Sequence, residues 1–125
     1  TAGDSEALVA VALAENGRLD VACNNPGVGG ETAPTGSYPL ESWNRVIAIN
    51  LTGVFHCMRY EIAAMLKTGG GAIVNVASIL GAVGFAGAPA YSAGKDGVLG
   101  LAKTPAAGGP PAPRPARRPS TACWA

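Results

Sequence analysis

Two side chains four residues apart, Tyr91 and Lys95, form the pair in this sequence with the clearest capacity for chemistry. Four residues span about one helical turn, so on a helix the ammonium of Lys95 lies beside the phenol of Tyr91. A nearby positive charge favours the phenolate, which makes a tyrosine a usable proton donor and acceptor near neutral pH. Because this spacing also arises by chance, its meaning depends on the residues around it.

Ser78 follows an apolar run, residues 72–77, that is typical of a buried strand. A hydroxyl at the carboxyl end of such a strand lies where open α/β sheets bind their ligands. The sequence therefore predicts that Ser78 belongs to the same site as Tyr91 and Lys95.

Helices and strands alternate along the first 104 residues, which predicts an α/β fold. Asp4 or Ser5 is the expected cap of the first helix, and Gly17 its stop. A strand, a helix and a second strand in this order form a right-handed unit with parallel strands. The predicted helices are residues 4–15, 41–67 and 89–104, the predicted strands 19–23 and 72–77, and the predicted loops 24–39 and 79–88.

Four segments resemble motifs of the short-chain dehydrogenase/reductase family in their order and spacing. They are Asn-Asn-Pro-Gly at 24–27, the segment 43–53 with Asn50, then Ser78, and the segment 91–95 with the tyrosine and lysine. The likeness covers about residues 4–104. It implies part of a Rossmann-like, doubly wound parallel sheet that binds NAD(P), as one partial domain over residues 1–104.

The resemblance implies an oxidoreductase that transfers a hydride between NAD or NADP and an alcohol or carbonyl substrate. In this comparison Tyr91 is the general acid and base, and Ser78 hydrogen-bonds the reacting oxygen. Lys95 keeps Tyr91 reactive and binds the nicotinamide ribose. Asn50 perturbs its helix so that its carbonyl holds a water near Lys95. Asn24 ties its strand to the neighbouring strands.

Cofactor contacts are implied for four residues, and Asn24 is expected to line the cofactor cleft. The implied cofactor-binding residues are Asn24, Gly27, Tyr91 and Lys95, and the implied catalytic residues are Asn50, Ser78, Tyr91 and Lys95. Pro26 stands where the family usually has alanine, and it lacks an amide donor that could approach the cofactor.

A non-catalytic interpretation stays open beside the enzymatic one. No Gly-x-x-x-Gly-x-Gly motif follows a strand near the N-terminus, so these residues lack the turn that binds the cofactor phosphates. The chain could therefore be an inactive remnant of the family, or an interaction module built on the helix 41–67. The alternative for Asn50 is a core amide bonded to backbone, and His56 is expected at a surface or interface.

Residues 105–125 are rich in proline, alanine and arginine, and we expect them to form a disordered tail. An abrupt change from family-like sequence near Lys103 favours a reading-frame shift in a GC-rich gene. The alternative is a natural basic arm for an acidic partner, carried by Arg114, Arg117 and Arg118.

Composition fits a soluble cytoplasmic enzyme that acts on small molecules. Nine basic and eight acidic residues nearly cancel, so we expect no electrostatic attraction to a nucleic acid or a membrane surface. No apolar run has the length expected of a membrane-spanning helix. Cys23, Cys57 and Cys123 lack metal-ligand spacing, so we expect no metal site, and the first two are expected as buried apolar residues. The intact parent is expected to be a homo-oligomer.

Overall fold

The computed structural model describes residues 1–105 of the chain, and the predicted tail from 106 onward lies outside the described residues. Within the described part no helix has the length and apolar character needed to cross a bilayer. The elements are α1 (Ala2–Asn16), β1 (Val21–Asn24), α2 (Leu40–Ile47), a π-helical turn (Ala48–Thr52), α3 (Gly53–Leu66), β2 (Ala72–Asn75), α4 (Ile79–Val83) and α5 (Pro89–Lys103).

Helix α1 begins with a capping box rather than with the predicted cap at Asp4 or Ser5. Thr1 is the cap: its side chain accepts a hydrogen bond from the Asp4 amide, and the Asp4 side chain bonds back to the cap residue. The predicted stop at Gly17 is confirmed. Its φ of 71° is in the left-handed region, and its N–H donates to the carbonyl of Leu13.

The two strands pair in parallel, as the order of elements predicted. Val21 lies opposite Ala72 and Asn24 lies opposite Asn75, so both strands end at the same edge in polar residues. Both strands are short, and β1 starts two residues later and ends one residue later than expected. Within residues 1–105 the sheet has only these two strands, and Cys23 is exposed rather than buried.

The long helix predicted for residues 41–67 is interrupted by the π-helical turn Ala48–Thr52. Here the backbone closes through a wider ring, and the Gly53 N–H donates to the carbonyl of Ala48. Such single π-helical turns inside α-helices are frequent at functional sites. Asn50 is at the centre of the turn and is fully buried.

The apolar core lies between α3, α5 and β2. Val54, Met58 and Val98 form its buried centre, and Leu51, Ile62, Ile73 and Leu101 pack around them. Helix α3 thus buries part of its apolar face, whereas Phe55 and Leu66 on the same helix are exposed. Helix α5 begins at Pro89, the first-turn position that suits proline, and ends one residue before the predicted end.

The predicted loop 79–88 contains a short helix, α4, which was missed. Ser78 caps it by accepting a hydrogen bond from the Leu80 amide at 3.3 Å. Gly81 lets α4 contact the backbone of α5: a Cβ at Gly81 would come within 2.7 Å of the Asp96 nitrogen. Only glycine fits at that distance, so Gly81 fixes how closely α4 packs beside the site.

Replacing Gly81 by alanine should lower the free energy of unfolding by about 1–3 kcal/mol, because the new methyl group collides with backbone that cannot rotate away. The matched control is Gly100→Ala in α5, where nothing lies within 4 Å of the new Cβ. That change should raise the free energy of unfolding by up to about 1 kcal/mol through helix propensity. Urea titrations of both variants measure the difference, and an equal effect of the two would contradict this packing.

Candidate active site

A cleft of about 310 Å³ opens at the carboxyl ends of the two strands. Its walls come from the loop after β1, the residues after β2, and helix α5. This is the edge at which open parallel sheets bind ligands. The lining residues are Asn25, Gly27, Gly29, Val76, Ala77, Tyr91 and Lys95.

Lys95 has its ammonium group held between the two strand ends. Its Nζ donates to the Pro26 carbonyl at 2.9 Å and to the Val76 carbonyl at 3.1 Å. The residue is only 3 % exposed, and within residues 1–105 no carboxylate forms a salt bridge with it. Two carbonyl dipoles therefore compensate a buried positive charge and join α5 to both strands.

Tyr91 lies one turn before Lys95 on α5 and also lines the cleft, as the four-residue spacing predicted. Its side chain is partly buried. None of the described residues forms a hydrogen bond with its hydroxyl, so the phenol is open to a molecule in the cleft. Tyr91 and Lys95 are thus the two predicted catalytic residues that the fold brings to the cleft wall.

Asn50 anchors the loop that follows β1. Its Oδ1 accepts from the Val28 amide at 2.8 Å, and its Nδ2 donates to the Val28 carbonyl at 2.9 Å. The side chain does not line the cleft. Helix α5 lies close above it, since a Cβ at Gly94 would be 3.1 Å from the Asn50 Cβ. Asn50 therefore positions the cleft wall from beneath, and the predicted water relay stays a prediction.

Ser78 is almost buried and directly follows Ala77 of the cleft wall. As the cap of α4, its oxygen accepts a hydrogen bond from the Leu80 amide. That bond uses a lone pair of the hydroxyl and leaves its hydrogen free. Ser78 can therefore still donate to another oxygen, although its side chain is not among those that line the cleft.

Asn24 is placed differently from the prediction that it lines the cofactor cleft. Its side chain is buried, and its Nδ2 donates to Glu61 at 2.9 Å and to Asn75 at 3.0 Å. The predicted role in tying strands together agrees with this geometry. Asn25 lines the cleft instead, because successive side chains of an extended segment point to opposite sides.

Glu61 is a buried acid that the sequence analysis missed. It lies in α3 at 6 % exposure, and its Oε2 accepts the hydrogen bond from Asn24. Burial raises the pKa of its carboxyl, and the hydrogen bond from Asn24 opposes part of that rise. A signal was available: Glu61 falls at helical spacing between Met58 and Met65, on the apolar stripe of its helix.

A larger groove of about 480 Å³ lies between α3, β2 and α5. Its lining is mainly apolar, with Met58, Ile62, Ile73 and Leu99 among the residues. Neither Tyr91 nor Lys95 is among its lining residues. The cleft at the strand ends is therefore the candidate active site.

The family is decided by a match over most of the chain. Residues 1–109 match the family model described as short chain dehydrogenase. The chain belongs to the short-chain dehydrogenase family. Among its relatives are the cyclohexanol dehydrogenase of Acinetobacter sp. (strain SE19), 47 % identical over 103 residues, and the cis-4-hydroxycyclohexanecarboxylate dehydrogenase of Sinomonas cyclohexanicum, 47 % identical over 100 residues.

Solved structures of this family share the fold of the chain. The NAD+-bound xylitol dehydrogenase superposes with a TM-score of 0.81 at 32 % identity, and levodione reductase with 0.82 at 35 %. Both alignments cover 85 % of this chain and 41 % of the other. The matches to the two dehydrogenase sequences cover 82 % and 80 % of this chain but only 41 % and 40 % of the relatives. The chain therefore spans about two fifths of the proteins it resembles.

Replacing Glu61 by glutamine should change how stability depends on pH. Below its ordinary pKa of 4.5 the carboxyl is protonated in both states, so wild type and Glu61→Gln should be similarly stable. As pH rises from there to the raised pKa of the folded state, wild type loses about 1.4 kcal/mol of stability for each pH unit between the two pKa values. The variant keeps its stability and should therefore be the more stable protein at pH 7.

Urea titrations at pH 4 and pH 7 measure this difference. Glu31→Gln is the control, because Glu31 is exposed and its substitution removes the same charge without removing a buried one. A Glu61→Gln variant that loses stability relative to wild type on going from pH 4 to pH 7 would contradict the assignment.

Proposed function

We propose that this chain carries the proton-transfer half of an oxidoreductase that moves a hydride between a nicotinamide cofactor and an alcohol or carbonyl compound. The observation that carries the proposal is that Tyr91 and Lys95 both line one cleft at the carboxyl ends of parallel strands. Membership of the short-chain dehydrogenase family supports the same chemistry. The nicotinamide group, when bound, supplies or accepts the hydride.

Tyr91 is proposed as the general acid and base. In the direction of reduction its hydroxyl gives a proton to the carbonyl oxygen of the substrate, and in oxidation its phenolate takes the proton from the alcohol. Its hydroxyl is free of partners among the described residues, so it can approach a substrate oxygen without breaking a bond. Ser78 is proposed to donate its free hydrogen to the same oxygen, where negative charge develops.

Lys95 and Asn50 are proposed to support Tyr91. The ammonium of Lys95 is held in place by the Pro26 and Val76 carbonyls, one turn along α5 from the tyrosine. An ammonium fixed there suits the hydroxyls of a ribose. Asn50 holds the loop of Val28. The proposed relay through a water on the Asn50 carbonyl would carry the proton onward.

The residues present fit the nicotinamide end of NAD or NADP. Gly27 and Gly29 line the cleft without side chains, so a flat ring and a ribose could approach the backbone. Lys95 and Tyr91 would bind the ribose hydroxyls. We infer that Gly27 contacts the cofactor directly and that Asn24 acts from beneath the cleft. One structural relative is described as NAD+-bound, and the choice between NAD and NADP stays open.

The substrate is proposed to be a small alcohol or ketone. From Val76 to Gly94 the sequence holds no charged side chain, so on this wall of the cleft a substrate would meet apolar side chains and hydroxyls. The relative named cyclohexanol dehydrogenase is consistent with such a substrate. We further propose that the intact enzyme is a cytoplasmic homo-oligomer that needs neither nucleic acid nor membrane.

A second candidate is an inactive member of the family that works through its helices. One observation favours it: among the described residues, α3 exposes apolar side chains. Phe55 is 45 % exposed and Leu66 is 71 % exposed. A helix face of this kind could bind another protein.

The test places this segment in a complete enzyme. The matching 103 residues of the Acinetobacter cyclohexanol dehydrogenase are replaced by those of this chain, and cyclohexanol oxidation is measured with NAD and with NADP. Tyr91→Phe should lower kcat at least about 100-fold, because it removes the transferable proton and keeps the ring. NADH binding, followed by fluorescence, should be nearly unchanged.

Tyr60→Phe is the matched control, since it removes a phenolic hydroxyl from α3, away from the cleft, and should leave kcat unchanged. A Tyr91→Phe chimera that keeps most of its kcat would show that the assigned role is wrong. A chimera that folds and binds NADH but is inactive with Tyr91 present would favour the inactive family member instead.

A further inference from the structure

We propose that Glu61 is a positioning residue for Lys95, acting through Asn24 and Asn75 at the ends of the two strands. The catalytic use of Lys95 rests on the proposed function. The physical link itself, from a buried carboxylate to a buried ammonium, can be tested in this chain without any activity.

The first part of the link is a buried chain of hydrogen bonds between α3 and both strands. Glu61 accepts from the Nδ2 of Asn24 at 2.9 Å, and the same Nδ2 donates to the Oδ1 of Asn75 at 3.0 Å. Asn75 in turn donates to the sulfur of Met58 at 3.3 Å. All four side chains are buried, so water cannot easily replace a bond that is lost.

The second part of the link is the position of the two asparagines. They are the last residues of β1 and β2 and lie opposite each other in the sheet. Pro26 comes two residues after Asn24, and Val76 comes directly after Asn75. The Val76 amide also donates to the Asn24 carbonyl at 2.8 Å. The Asn24–Asn75 pair thus fixes the backbone two residues before the Pro26 carbonyl and one residue before the Val76 carbonyl, the two that hold Lys95.

Glu61 determines which way this chain of bonds runs. An ionised carboxylate can only accept, so Asn24 must present its NH₂ group to it. Both hydrogens of that group are then donated, one to the Oε2 of Glu61 and one to the side-chain Oδ1 of Asn75. A glutamine could still accept through its amide oxygen. A leucine could not, and one buried N–H of Asn24 would lose its partner.

The consequence for Lys95 is a fixed geometry of its two acceptors. If the Asn24–Asn75 hydrogen bond is lost, the Pro26 and Val76 carbonyls can move apart. The Lys95 ammonium then loses one or both of its hydrogen bonds. Lys95 should then become accessible to solvent, whereas residues on the outside of the helices should not change.

Acetylation by N-hydroxysuccinimidyl acetate, read by peptide mass spectrometry, measures this accessibility. Lys67 is exposed and serves as a reference within the same molecule. In Glu61→Leu the rate of Lys95 acetylation relative to Lys67 should rise at least about tenfold over wild type, in keeping with the loss of one buried hydrogen bond. Glu61→Gln should keep wild-type protection. Asn24→Ala should expose Lys95 as Glu61→Leu does, and the double variant should add little.

Ile62→Ala is the packing control, because Ile62 is the next residue of α3, packs against the apolar core and makes none of these hydrogen bonds. Urea titration of each variant separates local exposure from global unfolding. Protection of Lys95 in Glu61→Leu equal to wild type would overturn the proposal. The proposal would also be overturned if Lys95 were acetylated as fast in Ile62→Ala as in a Glu61→Leu variant of matched stability. The acetylation rate of Lys95 would then depend only on the packing of α3. Neither result would bear on whether Tyr91 transfers a proton.

Discussion

The buried ammonium of Lys95 is the contact on which the arrangement of the candidate site depends. Transferring a charge out of water is costly unless hydrogen bonds replace its hydration. Here the replacement comes from the carbonyls of Pro26 and Val76, which follow β1 and β2 respectively. Lys95 of α5 can therefore be buried only if the ends of both strands lie side by side in the sheet. The parallel pairing, the loop after β1 and the position of α5 have to agree for Lys95 to be buried at all.

The supporting contacts share one pattern: polar side chains bond to backbone or to each other just below the cleft. Asn50 holds Val28, and Asn24 joins Asn75 to Glu61. These contacts leave the cleft wall rigid, whereas Tyr91 keeps an open hydroxyl. A rigid frame around one reactive group is what proton transfer to a positioned substrate needs, because a reacting pair held in place loses little entropy at the transition state.

Local signals in the sequence predicted the fold and part of the site. Proline at the start of α5 and glycine after α1 mark helix ends, and the Tyr91–Lys95 spacing needs only the helix that holds it. Helix α4 was missed because its short apolar sequence, with Gly81 inside it and Gly84 after it, has no complete helical period.

The bond between Asn24 and Glu61 joins residues 37 positions apart, so no local pattern contains it. The alternation of side chains after β1 could have assigned Asn25, rather than Asn24, to the cleft wall. The exposure of Cys23 depends on what covers that face of the sheet, which sequence periodicity alone does not specify. The π-helical turn likewise depends on Asn50 meeting a loop 22 residues earlier in the chain.

The most direct test of the central claim is an NMR spectrum of the ammonium groups in protein labelled with ¹⁵N-lysine. At neutral pH, Lys95 should give a slowly exchanging ¹H–¹⁵N cross-peak, with contacts to Pro26 and Val76, because two carbonyls hold it away from water. Lys67 is exposed and should exchange too fast to be seen. Lys95→Arg should remove the peak and assign it. A Lys95 ammonium that exchanges as fast as that of Lys67 would contradict the account.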